Sequence, residues 1–184
     1  MKRRQALFAV AAGAGTAAQS PAQTEWADPF ARSWRDGFLL HWKVTADYTL
    51  AVIEAMPADG FSFKPTPIQR TFGEQMVHLG RANVAYMAAF GLIEPPKPTE
   101  ETSKAAVREY VKATFDYVEA VLKKLSERDM ARRDLKINAR IKPHSGTDLF
   151  MRAYMHTAHH RGQVICYLRL KDIAPPVWAF EPSA

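Results

Sequence analysis

The sequence has a single cysteine, Cys166, among 184 residues, so no disulfide can form within the chain. It also lacks internal repeats, low-complexity regions and the motifs of Rossmann folds, P-loops and zinc fingers, so nothing in it supports those classes. The HExxH motif of zincin proteases is absent as well. Cys166 stands in the apolar segment Val164–Leu168. Because free cysteines are among the most buried residues, we predict that Cys166 lies in the core.

Long apolar runs are absent too, and the short one near the start is typical of an export signal. Basic residues at positions 2–4 precede an alanine- and glycine-rich apolar stretch, and small residues then offer cleavage after Ala18 or Ala22. Arg3 and Arg4 are compatible with the twin-arginine route. The stretch is too short for a permanent span, and no cysteine follows it for a lipid anchor. We therefore expect residues 1–22 to be the signal peptide of an exported protein, either periplasmic or secreted. After removal of the signal we expect no stable membrane span. The alternative is a disordered or membrane-dipping N-terminus.

Charge of one sign does not dominate the rest of the chain. The formal net charge of +6 falls to +3 without residues 1–22, which hold three basic residues and no acidic one. The densest basic cluster lies between Arg132 and Lys142, in a predicted loop, and Asp134 interrupts it. A modest charge of this kind does not indicate a nucleic-acid surface, so we expect a small-molecule substrate and no nucleic-acid partner.

Four segments carry apolar residues at steps of three and four, which predicts amphipathic helices. The predicted helices run from about 33 to 56, from a cap at Thr71 to about 90, from about 99 to 127, and from a cap at Ser145 or Thr147 to the prolines at 175–176. Between the third and the fourth predicted helix, apolar residues at odd positions are compatible with a short extended segment. The predicted fold class is all-α, a four-helix bundle over residues 33–176 with a C-terminal tail at 177–184.

Three histidines in these helices are candidate metal ligands. His156 and His160 are four residues apart, a spacing that turns both rings to nearly the same side of a helix. His78 lies in the first half of the second helix. Three protein ligands leave one coordination position for water or substrate, as in catalytic zinc sites. Imidazole ligands suit zinc and also nickel, iron and copper. Two alternatives remain open: the histidines are buried and hydrogen-bonded without metal, or His159, also about one turn from His156, forms the pair.

Other side chains near these histidines have less specific signals. Gln163 is seven residues after His156, nearly on the same face, and can hydrogen-bond a ligand; Tyr86, two turns beyond His78, can line the same cavity. The pocket is expected between the second and fourth helices, with the first helix as a wall. Three further residues are expected to be surface or packing residues rather than site residues: Arg161, His41 and His144.

Two pieces of the sequence, taken together, resemble the DinB-like family. Residues 156–176, HTAHHRGQVICYLRLKDIAPP, are similar to that family's last helix, whose signature is HxxxHRGQ followed by YLR and a proline pair. Residues 56–83, MPADGFSFKPTPIQRTFGEQMVHLGRAN, resemble its first loop and second helix. The resemblance covers about Trp34 to Pro176.

The resemblance implies a four-helix bundle, often a homodimer, with a divalent metal held by three histidines, which here are His78, His156 and His160. Some members of that family are metal-dependent transferases or isomerases that use small thiols, so the resemblance also implies an activity of that kind. The family name comes from DNA-damage induction and does not imply nucleic-acid binding. Since low-molecular-weight thiols are mainly cytosolic, the predicted export signal argues against a thiol transferase here.

The expected function is therefore a metal-dependent enzyme, of thiol-dependent transferase or hydrolase type. A divalent ion, zinc, nickel or iron, would activate a thiol or a water for attack on a small electrophilic substrate. No catalytic residue is assigned by the sequence. The alternatives are a non-catalytic metal- or ligand-binding four-helix module and a metal-free bundle with buried histidines.

Overall fold

A computed structural model describes residues 26–178, so the predicted signal at 1–22 lies outside the described residues. Within that range the chain forms five α-helices: α1 (Pro29–Ala55), α2 (Phe72–Ala88), α3 (Lys104–Lys124), the short α4 (Glu127–Ala131) and α5 (Gly146–Leu170). A 3-10 turn, Ala58–Ser62, follows α1. The four long helices form a bundle, which confirms the predicted all-α class. None of the helices in residues 26–178 is long and apolar enough to cross a membrane.

The helix ends follow local capping chemistry. α1 begins four residues before the predicted start because Asp28 caps it, accepting a hydrogen bond from the Ala31 amide at 2.8 Å. The capping box predicted at α2 is present: the Thr71 hydroxyl accepts from the Glu74 amide at 3.2 Å, and the Glu74 carboxylate accepts from the Thr71 amide at 2.7 Å. α2 ends at Ala88, and Gly91 continues the chain with φ 65°.

The third helix is shorter at both ends than the predicted 99–127, and a separate short helix follows it. α3 starts only after Ser103, its cap, and ends at Lys124. Ser126 then caps α4, with its hydroxyl accepting from the Asp129 amide at 3.3 Å. After α4, Leu135 and His144 form an isolated antiparallel bridge, which is the only trace of the extended piece considered for this segment within residues 26–178.

The packing of the four long helices determines which of them can share a site. α2 packs mainly against α3 and α5, and α1 packs against the same two helices, so α1 and α2 lie on opposite corners of the bundle. The buried apolar residues of α3 recur at the predicted steps of three and four: Val107, Val111, Phe115, Val118 and Leu122. Aromatic and aliphatic residues of α1, α2 and α5 complete the core. The largest fully buried side chains include Trp42, Phe72, Phe150, Ile53, Met76, Leu79 and Leu122.

Two sequence predictions about α5 are wrong. Cys166 is exposed, not in the core. It lies about 200° around the helix axis from the buried Val164, so its apolar neighbours in sequence do not cover it. Arg161 is not a surface charge: only 3% of it is exposed, because it shares the inward face of α5 with Thr157 and Val164.

Candidate metal centre

The packing of α2 against α5 brings three histidine rings together. One ring nitrogen from each of His78, His156 and His160 lies within 4.8 Å of the other two. The ring centroids are 4.2 Å apart for His156 and His160, 4.6 Å for His78 and His160, and 5.2 Å for His78 and His156. The three residues proposed from the sequence therefore share one small volume between the two helices.

The spacing of the nitrogens is suited to a common ion. Nε2 of His156 and Nε2 of His160 face each other at 3.0 Å. Two nitrogens that bind one zinc ion at its usual bond length and tetrahedral angle are about 3.3 Å apart. The pair on α5 thus already has nearly the separation of two ligands, and His78 approaches it from α2 as a third.

The protonation of the rings is also suited to metal binding. Burial, followed by the mutual repulsion of neighbouring rings, lowers the pKa of His156 and of His160 to about 4. Burial, with Arg70 and Arg81 nearby, also lowers the pKa of His78. All three rings are therefore neutral at pH 7, which is the form that donates a lone pair to a metal.

A pair of glutamine side chains holds His160 from its other ring nitrogen. The Gln75 side-chain nitrogen lies 2.7 Å from Nδ1 of His160, and the Gln163 side-chain oxygen lies 3.2 Å from the same atom. The two amides also contact each other, and Gln163 reaches Nε2 of the exposed His159 at 2.9 Å. Gln75 is itself 4% exposed, so its amide is committed to these partners.

The same heavy atoms accommodate two hydrogen-bonding patterns. In the first, Gln75 donates to Nδ1 of His160, and Nε2 of His160 carries the proton that His156 accepts. In the second pattern, the side-chain amides of Gln75 and Gln163 are both flipped, which exchanges their oxygen and nitrogen. Nδ1 of His160 then donates to the Gln75 oxygen, and the Nε2 lone pair of His160 is free for a metal. Since a metal-binding histidine usually donates its other N–H to an oxygen acceptor, the second pattern is the one that fits a bound ion.

The profile of a protein family matches the chain over residues 41–164, a span that contains all three histidines and Gln75. That family is the DinB superfamily. The chain belongs to the DinB superfamily. The resemblance read from the sequence is thereby confirmed. No curated protein matches the chain.

Solved structures of DinB-like proteins have the same fold. A DinB-like protein of Bacillus cereus ATCC 10987 superposes with a TM-score of 0.66 at 23% identity, over 77% of this chain and 95% of that one. A DinB-like protein of Bacillus subtilis superposes with a TM-score of 0.60 at 19% identity, over 77% of this chain and 96% of the other. At these identities the likeness establishes the fold of this DinB superfamily member.

A cleft of about 530 Å³ opens beside His78. It differs from the pocket expected from the sequence, because its walls come from α2 and from the loops before and after it, with no residue of α1 or α5. Its lining is mostly polar and charged: Lys64, Ile68, Gln69, Arg70, Glu74, His78, Arg81, Thr99, Glu100 and Thr102.

The remaining sequence candidates lie around or away from the histidine cluster. Tyr86 lies with its ring centroid 6.0 Å from that of His156, so it borders the cluster as expected. His144 instead donates from Nδ1 to the Asp148 carboxylate at 2.6 Å, near the start of α5. His41 borders a separate groove with Trp34, between α1 and α5.

Sequence reasoning did not find Gln75. Its signal was present, because Gln75 precedes His78 by three residues in a capped helix and so lies on nearly the same side. Nothing local, however, distinguishes it from an ordinary surface glutamine. Only the packing of α2 against α5 places its amide on His160.

Proposed function

We propose that this protein is a metal-dependent enzyme acting on a small molecule through a divalent ion held by His78, His156 and His160. The observation that carries the proposal is the convergence of three neutral imidazoles beside a cleft of about 530 Å³. Three protein ligands leave at least one coordination position for water or substrate, which distinguishes a catalytic from a closed structural site.

The chemistry follows from the donor set. A divalent ion, with zinc, nickel or iron as the candidates, lowers the pKa of a bound water or thiol and so supplies a nucleophile at neutral pH. The residues of this chain hold and orient the ligands: the imidazoles donate lone pairs, and Gln75 fixes the ring of His160. A hydrolase or thiol-dependent transferase reaction on a small electrophile agrees with this arrangement.

Metal content with matched histidine variants tests the proposal. The purified mature protein, reconstituted separately with zinc, nickel and iron, should hold about one ion per chain by elemental analysis. His78→Ala, His156→Ala and His160→Ala should each lose that ion, whereas His159→Ala, with a ring exposed beside the cluster, should retain it. A wild-type chain without stoichiometric metal after reconstitution would remove the basis of the proposal.

Chelation and activity separate the enzyme from a non-catalytic metal- or ligand-binding module. An ion present at a hundred times its Kd stabilises the folded chain by about 2.7 kcal/mol, so metal should raise Tm in either case. Activity against a panel of esters and electrophiles that disappears in His156→Ala supports the enzyme. A large loss of Tm on chelation, with no activity in the panel, supports the module.

We also propose export of the protein, on the order of basic, apolar and small residues in positions 2–22. Residues 1–30 fused to a reporter that functions only outside the cytoplasm should give activity. Replacing Arg3 and Arg4 by lysine should abolish it if the twin-arginine route is used, and should leave it unchanged if the general route is used.

A further inference from the structure

We propose that the cleft beside His78 is a subsite for an anionic group of the substrate, a carboxylate or a phosphate, with Lys64 and Arg70 as the residues that bind it. This inference rests on the proposed function, because it names the substrate class of the same site. It is carried by the position of the cleft and by the pairing of its charged side chains.

The cleft is directly connected to the candidate metal centre. His78 is one of its lining residues and, at the same time, one of the three clustered histidines. Its volume of about 530 Å³ is that of a small-molecule site. A ligand seated in the cleft therefore has one end at His78 and the other between the loops that flank α2.

The charged side chains of the cleft differ in whether they form direct ion pairs or hydrogen bonds. Arg81 forms an ion pair with Glu100 at 2.6 Å and donates to the Thr99 carbonyl at 3.1 Å. The Glu74 carboxylate accepts the Thr71 amide hydrogen bond of the capping box. That bond, together with the nearby positive charges of Lys64 and Arg70, lowers the pKa of Glu74.

Lys64 and Arg70 differ from these residues. Across residues 26–178, neither of their side chains takes part in an ion pair or a side-chain hydrogen bond. Both lysine and arginine bind carboxylates and phosphates, arginine with a planar fork that can make two parallel hydrogen bonds.

The loop that carries these two cations is attached to both helices of the histidine cluster. The Phe72 amide donates to the Phe63 carbonyl at 2.9 Å, which closes the loop at its base. The Tyr167 hydroxyl of α5 donates to the Arg70 carbonyl at 3.0 Å. Tyr167 is seven residues after His160, two turns further along the same helix, so the backbone of Arg70 is tied to the helix that carries two of the candidate ligands.

This arrangement has a consequence for selectivity. An anionic group held by Lys64 and Arg70 would orient the rest of a small substrate toward His78, and the positive field would attract anions into the cleft. A neutral analogue of the same shape lacks both effects and should bind weakly.

Titration with simple anions tests the subsite independently of catalysis. Succinate and inorganic phosphate are added to the metal-free and the zinc-loaded protein, with succinamide as the neutral control, and binding is followed by calorimetry. Arg70→Gln and Lys64→Gln should each weaken binding of the preferred anion by about tenfold. The matched control is Arg128→Gln in α4, an exposed arginine beyond the far end of α3, which should leave the affinity unchanged.

The outcomes separate this proposal from the proposed function. Anion binding that depends on Arg70 and Lys64, in a protein that takes up no stoichiometric metal on reconstitution, supports the subsite and removes the metalloenzyme. Stoichiometric metal, with an anion affinity that is equal in wild type, Arg70→Gln and Lys64→Gln, overturns the subsite alone. Equal binding of succinate and succinamide, together with no phosphate binding, also overturns it. A preference for succinate or for phosphate decides between a carboxylate and a phosphate substrate.

Discussion

The side-chain amide of Gln75 in α2 lies 2.7 Å from Nδ1 of His160 in α5. It joins the two helices that supply the histidine cluster, and it contacts the ring nitrogen opposite the one that faces His156. The orientation of one candidate ligand is therefore determined by a residue of the other helix. His156 differs in this respect, since its Nδ1 is buried and has no hydrogen-bond partner within residues 26–178.

Replacing Gln75 tests whether it positions His160. Gln75→Met keeps the length of the side chain but removes the acceptor, and it should weaken zinc binding by roughly 10- to 100-fold, measured by competition with a chromophoric chelator. Gln75→Glu retains an oxygen that accepts from Nδ1–H and should bind zinc nearly as well as wild type. Equal zinc affinities for the methionine variant and wild type would mean that Gln75 only fills space.

The stability of the metal-free protein should fall between pH 6.5 and pH 5. The pKa of His156 and of His160 is lowered from 6.5 to about 4 in the folded chain, mainly by burial. As the pH falls below 6.5, the unfolded chain takes up protons that the folded chain does not, so the free energy of unfolding decreases. Well above pH 6.5, where these two histidines are deprotonated in both the folded and the unfolded chain, they contribute no slope.

Urea denaturation of the metal-free protein at intervals from pH 8 to pH 5 measures this dependence. The double variant His156→Gln, His160→Gln is the control, because it keeps a polar side chain at both positions but cannot titrate. Its curve should be flatter than that of wild type between pH 6.5 and pH 5. Parallel curves would show that the two rings do not have the lowered pKa values.

Arg161 connects α5 to α1 and to the C-terminal segment. Its guanidinium donates to the Thr45 carbonyl and the Thr49 hydroxyl, both at 3.3 Å. Its Cζ lies 5.0 Å from the ring centroid of Tyr48 and 4.6 Å from that of Trp178. Arg161→Lys cannot reproduce both the stacking and the two hydrogen bonds, so it should lower the free energy of unfolding by about 1–3 kcal/mol.

The matched control for that substitution is Arg169→Lys, at an exposed position of the last turn of α5. It should change stability by less than about 0.5 kcal/mol in the same urea experiment. If the two lysine variants were equally stable, the buried contacts of Arg161 would contribute nothing specific.

The free thiol of Cys166 should react in the native protein. Because Cys166 is exposed on α5, a chromogenic disulfide reagent should label about one thiol per chain without denaturant. Cys166→Ser should abolish the signal and leave Tm nearly unchanged. Labelling that requires urea would show instead that the residue is covered.

Much of the architecture could be read from local patterns. The apolar stripe of α3 predicted its buried face, since a helix must place residues at steps of three and four on one side. The capping box at Thr71 predicted where α2 begins, because its two hydrogen bonds join residues only three apart. His156 and His160 share a side of α5 for the same reason.

The sequence by itself thus predicted the four long helices, the four-helix class and the candidate trio His78, His156 and His160, which the resemblance to the family also implied. The tertiary structure alone decided the rest. The contact of Gln75 with His160, the burial of Arg161 and the exposure of Cys166 depend on which face of α5 meets its neighbours. The alignment of Lys64 and Arg70 beside His78 depends on how a loop closes over α2. Such relationships join residues far apart in the chain, and the physical forces that create them act between packed surfaces and leave no periodic trace in the sequence.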